Sequence, residues 1–217
     1  GIPIVLLTRR MINDDYTLFI SPNDATIAGQ AAEQITKVLN GTGKVLMLQG
    51  VPTASTVLHR TEGFLEAIKS HPGIEVVAIK PANYLRADAI KVVQEMLEQK
   101  IPFDAIYAQD DAMASGARIA LIEAGIDPAT VPIVGIDYIS EAREAIRAGD
   151  QVASFTYPTC GEQAAELALR ILRGRSEERR VGTECRSRWS PHHLDIKHMA
   201  TRYDLDTQSV RRAHIRR

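Results

Sequence analysis

Hydrophobic and polar positions along this chain alternate between two rhythms. Short continuous apolar runs (IPIVLL, VLMLQ, AIYA, PIVGI, ASFT) read as buried strands, and between them lie stretches with apolar residues every three or four positions. The pattern predicts strands at 2–7, 17–20, 44–49, 75–79, 104–108, 132–136 and 152–157. It predicts helices at 55–70, 86–99, 111–124, 140–148 and 161–173, and one that opens after the turn SPND. In that first helix Ile27, Ala31, Ile35 and Val38 keep helical spacing, Asn23 or Asp24 is the expected cap, and Asn40-Gly41 closes it. Val/Ile/Leu strands alternating with amphipathic helices imply a parallel sheet covered on both faces. The expected fold is therefore α/β, a doubly wound parallel sheet with right-handed crossovers.

Four of the strands end in a polar residue: Arg9, Asp110, Asp137 and Tyr157. In an open parallel sheet the carboxyl ends of the strands share one edge, where ligands sit. The row predicts a polar small-molecule site built from several loops. No single reactive residue dominates it, so a binding protein is expected before an enzyme.

Composition narrows this reading. A chain of 217 residues fits one large domain or two small ones, and its net charge of −1 conceals an asymmetry. Residues 175–217 carry 11 Lys/Arg against 6 Asp/Glu, leaving 15 against 21 in residues 1–174. An acidic body argues against a nucleic-acid surface there. No apolar run reaches the length of a membrane span, and the first residues lack the charge and cleavage pattern of a signal peptide. The two cysteines, Cys160 and Cys185, define no disulfide framework.

From residue 175 the rhythm stops. RSEERRVGTECRSRWSPHH has no hydrophobic period and holds the chain's single Trp, Trp189. The run closely resembles the translation of a common sequencing-adapter oligonucleotide, so Arg175–His193 is read as foreign to the protein and 175–217 as an irregular tail. His192, His193 and His198 have no second ligand cluster, and no metal site is expected.

The stretches GIPIVLLTR, HRTEGFLEAI, AIYAQDDAMASGA, PIVGID and EAIRAGDQVASFTYP occur in that order over nearly all of residues 1–174. Together they resemble the type I periplasmic sugar-binding proteins, the ribose-binding group of ABC-transporter solute receptors. The resemblance implies two lobes hinged by crossing strands that close around a ligand. Residues 1–22 and 158–174 would be remnants of a truncated first lobe, with 23–157 a nearly complete second lobe. Crossings are expected near Phe19–Asn23 and Phe155–Pro158, with room for a third after His193. Also implied are a monosaccharide-like ligand, an ABC permease or membrane sensor as partner, and a periplasmic or extracytoplasmic location. Related readings are the effector domain of a sugar-responsive repressor and the sensory domain of a signalling receptor. With only half a cleft, the chain as given is expected to bind sugars weakly or not at all.

The chemistry of a sugar fits the polar row. Hydroxyls both donate and accept, and the C–H faces are apolar, so a sugar site needs charged planar groups and a ring. Arg9 offers a fork of donors, Asp110 and Asp137 offer acceptors, and the resemblance implies stacking by Tyr84 and contact from Tyr157 or Thr156. Each has an alternative: Asp137 as the cap of the helix near Ser140, Tyr84 as packing beneath a loop, Arg86 as a helix-start partner. Asp111 is expected to cap helix 111–124, leaving Asp110 to face the cleft, and Ser55 is expected to cap helix 55–70. The chain departs from the family where Thr8 precedes Arg9, where Leu58 replaces an arginine upstream of Arg60, and where Asp110 replaces a frequent asparagine. These leave the identity of the ligand open. There is no G-x-S-x-G elbow, Walker loop or dinucleotide fingerprint, and Cys160 has no histidine near it in sequence, so neither catalysis nor a cofactor is expected.

Overall fold

The structure, a computed structural model, describes residues 2–11, 13, 15–173, 182–184 and 199–201. Two parallel strands open the chain, β1 (Val5–Leu7) and β2 (Leu18–Ser21). There follow α1 (Asp24–Val38), β3 (Gly43–Gln49), α2 (Ser55–Ile68), β4 (Ile74–Pro81) and α3 (Arg86–Glu98). The alternation continues with β5 (Ala105–Ala108), α4 (Asp111–Glu123), β6 (Ile133–Asp137), α5 (Ser140–Ala148), β7 (Ala153–Thr156) and α6 (Gly161–Leu172). Two three-residue strands, β8 (Gly182–Glu184) and β9 (Met199–Thr201), lie in the stretch expected to be irregular. The rest of that stretch, with its histidines, lies outside the described residues.

The strands form two sheets. The larger runs β4-β3-β5-β6-β7-β9, parallel except for β9, which pairs antiparallel with β7. The smaller runs β1-β2-β8, all parallel. The central strands β3, β5, β6 and β7 are buried on both faces, and their side chains sort by twos as a pleat requires. Val45, Met47, Tyr107, Val134, Ile136 and Phe155 pack with α1 and α2. Leu46, Leu48, Ile106, Ala108 and Ile133 pack with α3 and α4 on the opposite face. This is the doubly wound α/β fold that the alternation predicts.

Helix starts decide where the site sits, because each opens at the carboxyl end of a strand. Asn23 caps α1, accepting from the Thr26 amide at 3.0 Å. Two expected caps are corrected. Asp110, not Asp111, caps α4, its Oδ1 accepting from the Met113 amide at 2.7 Å. The cap position of α2 is Ala54, and Ser55 Oγ instead accepts from the Arg10 amide at 3.1 Å. Chain direction explains both: the residue at the cap must still be extended, and Asp110 (φ −152) and Ala54 (φ −78, ψ 135) are the last extended residues before the helix.

Among the described strands the chain passes between the two sheets three times: after Ser21, after Thr156, and again between β8 and β9, which returns it to the larger sheet beside β7. On the smaller sheet, Leu18 and Ile20 pack with Val5 and with Cys160, Ala164 and Leu167 around α6.

Candidate functional site

At the carboxyl edge of the larger sheet a buried cation organises the surroundings. Arg60, on α2, is 3% exposed, and its Nε donates to Asp24 Oδ1 at 2.7 Å. Its Nη1 donates to the Gln109 carbonyl, and its guanidinium lies 4.6 Å from the centroid of the Tyr157 ring. The Tyr157 hydroxyl donates in turn to Asp24 Oδ2 at 3.4 Å. Burial works against charge on both partners, yet Asp24 holds Arg60 firmly cationic, while the loss of solvent pushes the Asp24 carboxyl above its ordinary value against the pull of Arg60.

The residues singled out from sequence gather around this cation. Arg60 exerts its charge on Tyr84, Asp110, Asp137 and Tyr157. Arg9 arrives from the end of β1 and lies 5.5 Å from the centroid of the Tyr84 ring, exposed to solvent. Tyr84, Asp110, Asp137 and Tyr157 come from four strand ends of the larger sheet, as the edge of an open sheet allows, and Arg9 comes from the end of β1 in the smaller one.

Two of them stand on strained backbone. Asn83 and Tyr84 have φ of 55 and 62, and Asp137 and Tyr138 have φ of 108 and 56. Left-handed conformations at non-glycine residues cost about 1–3 kcal/mol each and persist only where the surroundings over-determine them. For Tyr84 the surroundings are visible. Its hydroxyl shares a hydrogen bond with Thr56 Oγ1 at 2.9 Å, and its ring lies against Gly50, where a Cβ would come within 2.0 Å of Cζ. Tyr84 is therefore half-buried packing, one of the two alternatives open in the sequence, with Arg9 beside its ring.

The acidic residues divide by role. Asp110 is buried, and its carboxylate serves the start of α4, accepting from the Met113 amide with the Ala112 amide also drawn to it. Loss of solvent pushes its carboxyl up, opposed by the Met113 amide and by Arg60. Asp137 is exposed and caps nothing: the cap position of α5 is Ile139, and no side chain bonds there from within the turn. Although Asp137 is open to solvent, neighbouring protein atoms strip part of the hydration from its carboxyl; this, with Asp110, Asp111 and Asp24 and against Arg60, pushes it up to about 7. Asp111 turns away from the edge into a buried polar cluster with Ser154 and Gln151.

Sequence reasoning missed the centre of the arrangement. Arg60, Asp24, Thr56, Gln109 and Gly50 were not among the candidates. Gln109 binds the loop after β3, its Oε1 accepting from the Gly50 amide at 3.2 Å and its Nε2 donating to Thr61 Oγ1 at 2.9 Å. The signal for it was present in AIYAQD, a polar residue one step before the carboxyl-end aspartate. Among the other residues considered, Arg86 pairs with Glu141 at 2.5 Å and His71 with Glu33 at 3.0 Å, both as surface partners. Cys160 is buried at the left-handed start of α6. Among the described residues no cluster of His, Cys, Asp and Glu is placed to hold a metal, and no helix is long and apolar enough to cross a membrane.

Fold and rim together describe a doubly wound α/β protein with a cluster of polar side chains at the carboxyl edge of its larger sheet, joined to a second sheet by three crossings. The chain belongs to the periplasmic binding protein family, whose domain pattern matches residues 1–176. It is 31% identical over 175 residues to the ribose import binding protein of Salmonella typhimurium, covering 80% of this chain and 58% of that protein. It is 31% identical over 170 residues to a xylitol-binding protein of Mycolicibacterium smegmatis, covering 78% and 48% respectively. The chain thus spans about half to three fifths of the length of these relatives. Among solved structures, the fructose-binding periplasmic domain of a hybrid two-component system superposes with a TM-score of 0.80 at 27% identity, covering 99% of this chain and 68% of that one. The arabinose-transporter binding protein of a Shewanella species, at 23% identity, shares the fold with a TM-score of 0.79, covering 85% and 63%.

Proposed function

We propose that this chain is part of a solute receptor that captures a monosaccharide-like ligand between two hinged lobes and presents it to an ABC permease outside the cytoplasm. In this reading residues 1–22 and 158–174 belong to one lobe and 23–157 to the other, and the crossings after Ser21 and Thr156 are the hinge. The ligand would meet Arg9, Tyr84, Asp110, Asp137 and Tyr157. The observation that carries the reading is that Tyr84, Asp110, Asp137 and Tyr157 lie within the field of Arg60 while Arg9 stands over the Tyr84 ring, a mixture of donor fork, acceptors and rings suited to hydroxyls and a C–H face. Relatives named for ribose and xylitol support the ligand class.

The chemistry is binding, not bond-making. A micromolar affinity corresponds to about −8 kcal/mol, and charge-assisted hydrogen bonds net about 1.5–3 kcal/mol each before ordering costs, so several contacts must act together. A sensory role is the second reading, favoured by the likeness to the periplasmic domain of a two-component system over nearly the whole chain. In both, the same cleft closes on the same kind of ligand.

The test is a thermal-shift panel of pentoses, hexoses, xylitol and inositol on the intact gene product. A true ligand at about 100 times its Kd adds about 2.7 kcal/mol of stability. A selective rise with one sugar or polyol supports the reading, and a flat panel contradicts it.

A further inference from the structure

Asp111 is 1% exposed and stands outside the set of candidate ligand contacts. Its carboxylate is nonetheless tied to the loop that carries one of them. Oδ2 accepts from the Ile139 amide at 3.1 Å and from Ser154 Oγ at 2.7 Å. Ser154 Oγ accepts in turn from the Tyr138 amide at 2.9 Å. The two amides that follow Asp137 are thus held, one directly and one through a hydroxyl, by a single buried carboxylate on another helix.

We propose that Asp111 is a positioning residue: through Ser154 it holds the strained Asp137–Tyr138 turn and leaves the Asp137 carboxylate free to face the cleft. The inference rests on reading Asp137 as a ligand contact. Its physical content lies in what a helix start demands. The first amides of α5 need acceptors, and the nearest side chain of the right kind in sequence is Asp137 itself. Were Asp137 to cap α5, its carboxylate would turn inward. Asp111 supplies an acceptor from 28 residues away to the amide of Ile139, the cap residue of α5, places negative charge at the amino end of that helix, and relieves Asp137 of that task.

Three other residues fit around this device. Gly135 leaves the space: a Cβ there would lie 2.2 Å from Asp111 Oδ1. Gln151 Nε2 donates to Asp111 Oδ1 at 3.2 Å, and Arg118 donates to Gln151 Oε1, which orients the amide so that its nitrogen faces Asp111. Gly135 and Ser154 are partners in the β6–β7 register, so the space and the hydroxyl lie side by side on one face of the sheet.

The test compares amide hydrogen exchange in the full chain for the wild type, Asp111→Asn, Ser154→Ala and the control Ser115→Ala, whose buried hydroxyl serves Glu141 instead. In Asp111→Asn, exchange at Tyr138 and Ile139 should rise at least about tenfold beyond any change at Val134 and Ile136, the loss of one charge-assisted bond. Ser154→Ala should release Tyr138 while Ile139 keeps its bond to Asp111, and it serves alone if Asp111→Asn does not fold. Uniform change across β6 and the turn, or none at the turn, overturns the proposal. Calorimetry with the best ligand of the panel on the intact gene product then separates the two claims. If the wild type binds and Asp111→Asn binds equally well, positioning is wrong and the sugar reading stands. If the turn loosens selectively but no sugar binds the wild type, the hold on the turn stands and the sugar reading fails.

Discussion

Small differences in residue type decide what this site can grip. Gly50 is required because the Tyr84 ring occupies the place of a side chain, with Cζ 2.0 Å from where Cβ would be. Gly50→Ala should push the ring off its seat, leave the fold intact, and weaken sugar binding by about tenfold, since ring contacts are worth about 0.5–1.5 kcal/mol beyond their buried area. Calorimetry on the variant checks this. Asp137, pushed up to about 7, should make binding depend on pH. An ionised carboxylate is the stronger acceptor, so affinity should fall as pH drops through about 7, and Asp137→Asn should flatten that profile. Stability moves the other way. The folded-state pKa is raised, so the stabilising contribution of Asp137 is fully present below its unfolded value near 3.8 and is lost as pH rises through about 7. Thermal melts between pH 4 and 8 should show this slope in the wild type and a shallower one in Asp137→Asn.

Among the elements, the alternation of strands and helices was readable because each segment has one strong period and is bounded by turn residues. Most predicted bounds fall within one or two residues of the observed ones. The first strand is an exception: only Val5–Leu7 pairs, since the chain before it is held to Thr17 by Ile4 and not by a ladder. Which of two adjacent aspartates caps α4 was not readable, because Asp110 and Asp111 have the same chemistry and differ only in where the extended backbone ends. Arg60 was missed for a related reason. In the sequence it is one charged residue on an amphipathic helix; Asp24, 36 positions earlier, becomes its partner only when α1 lies beside α2. Removing either partner leaves a buried charge uncompensated, so Arg60→Met or Asp24→Asn alone should cost about 3–5 kcal/mol in urea denaturation. The double variant should recover part of that loss.

For the molecule as a whole, the pair Asp24–Arg60 sits where the first two crossings, after Ser21 and after Thr156, meet the larger sheet. Asp24 follows the first by three residues, and Tyr157, under the Arg60 guanidinium, lies on the second. In the proposed two-lobe reading, rim and hinge would share side chains, and a ligand touching Tyr157 would act on the crossing itself. By contrast α6 covers its sheet with one narrow face, leaving Leu169 and Leu172 exposed at 51% and 75%. Its amides should exchange faster than those of α4, whose buried face is broad.

All of this depends on side chains from separate loops acting on one guest. The most direct measurement is a crystal structure of the intact gene product with the sugar or polyol that most raises its melting point. The account predicts ligand hydroxyls within about 3.2 Å of the Asp110 and Asp137 carboxylates and of the Arg9 guanidinium, with a C–H face against Tyr84. A ligand bound away from the carboxyl edge, or one that touches neither aspartate, would contradict it.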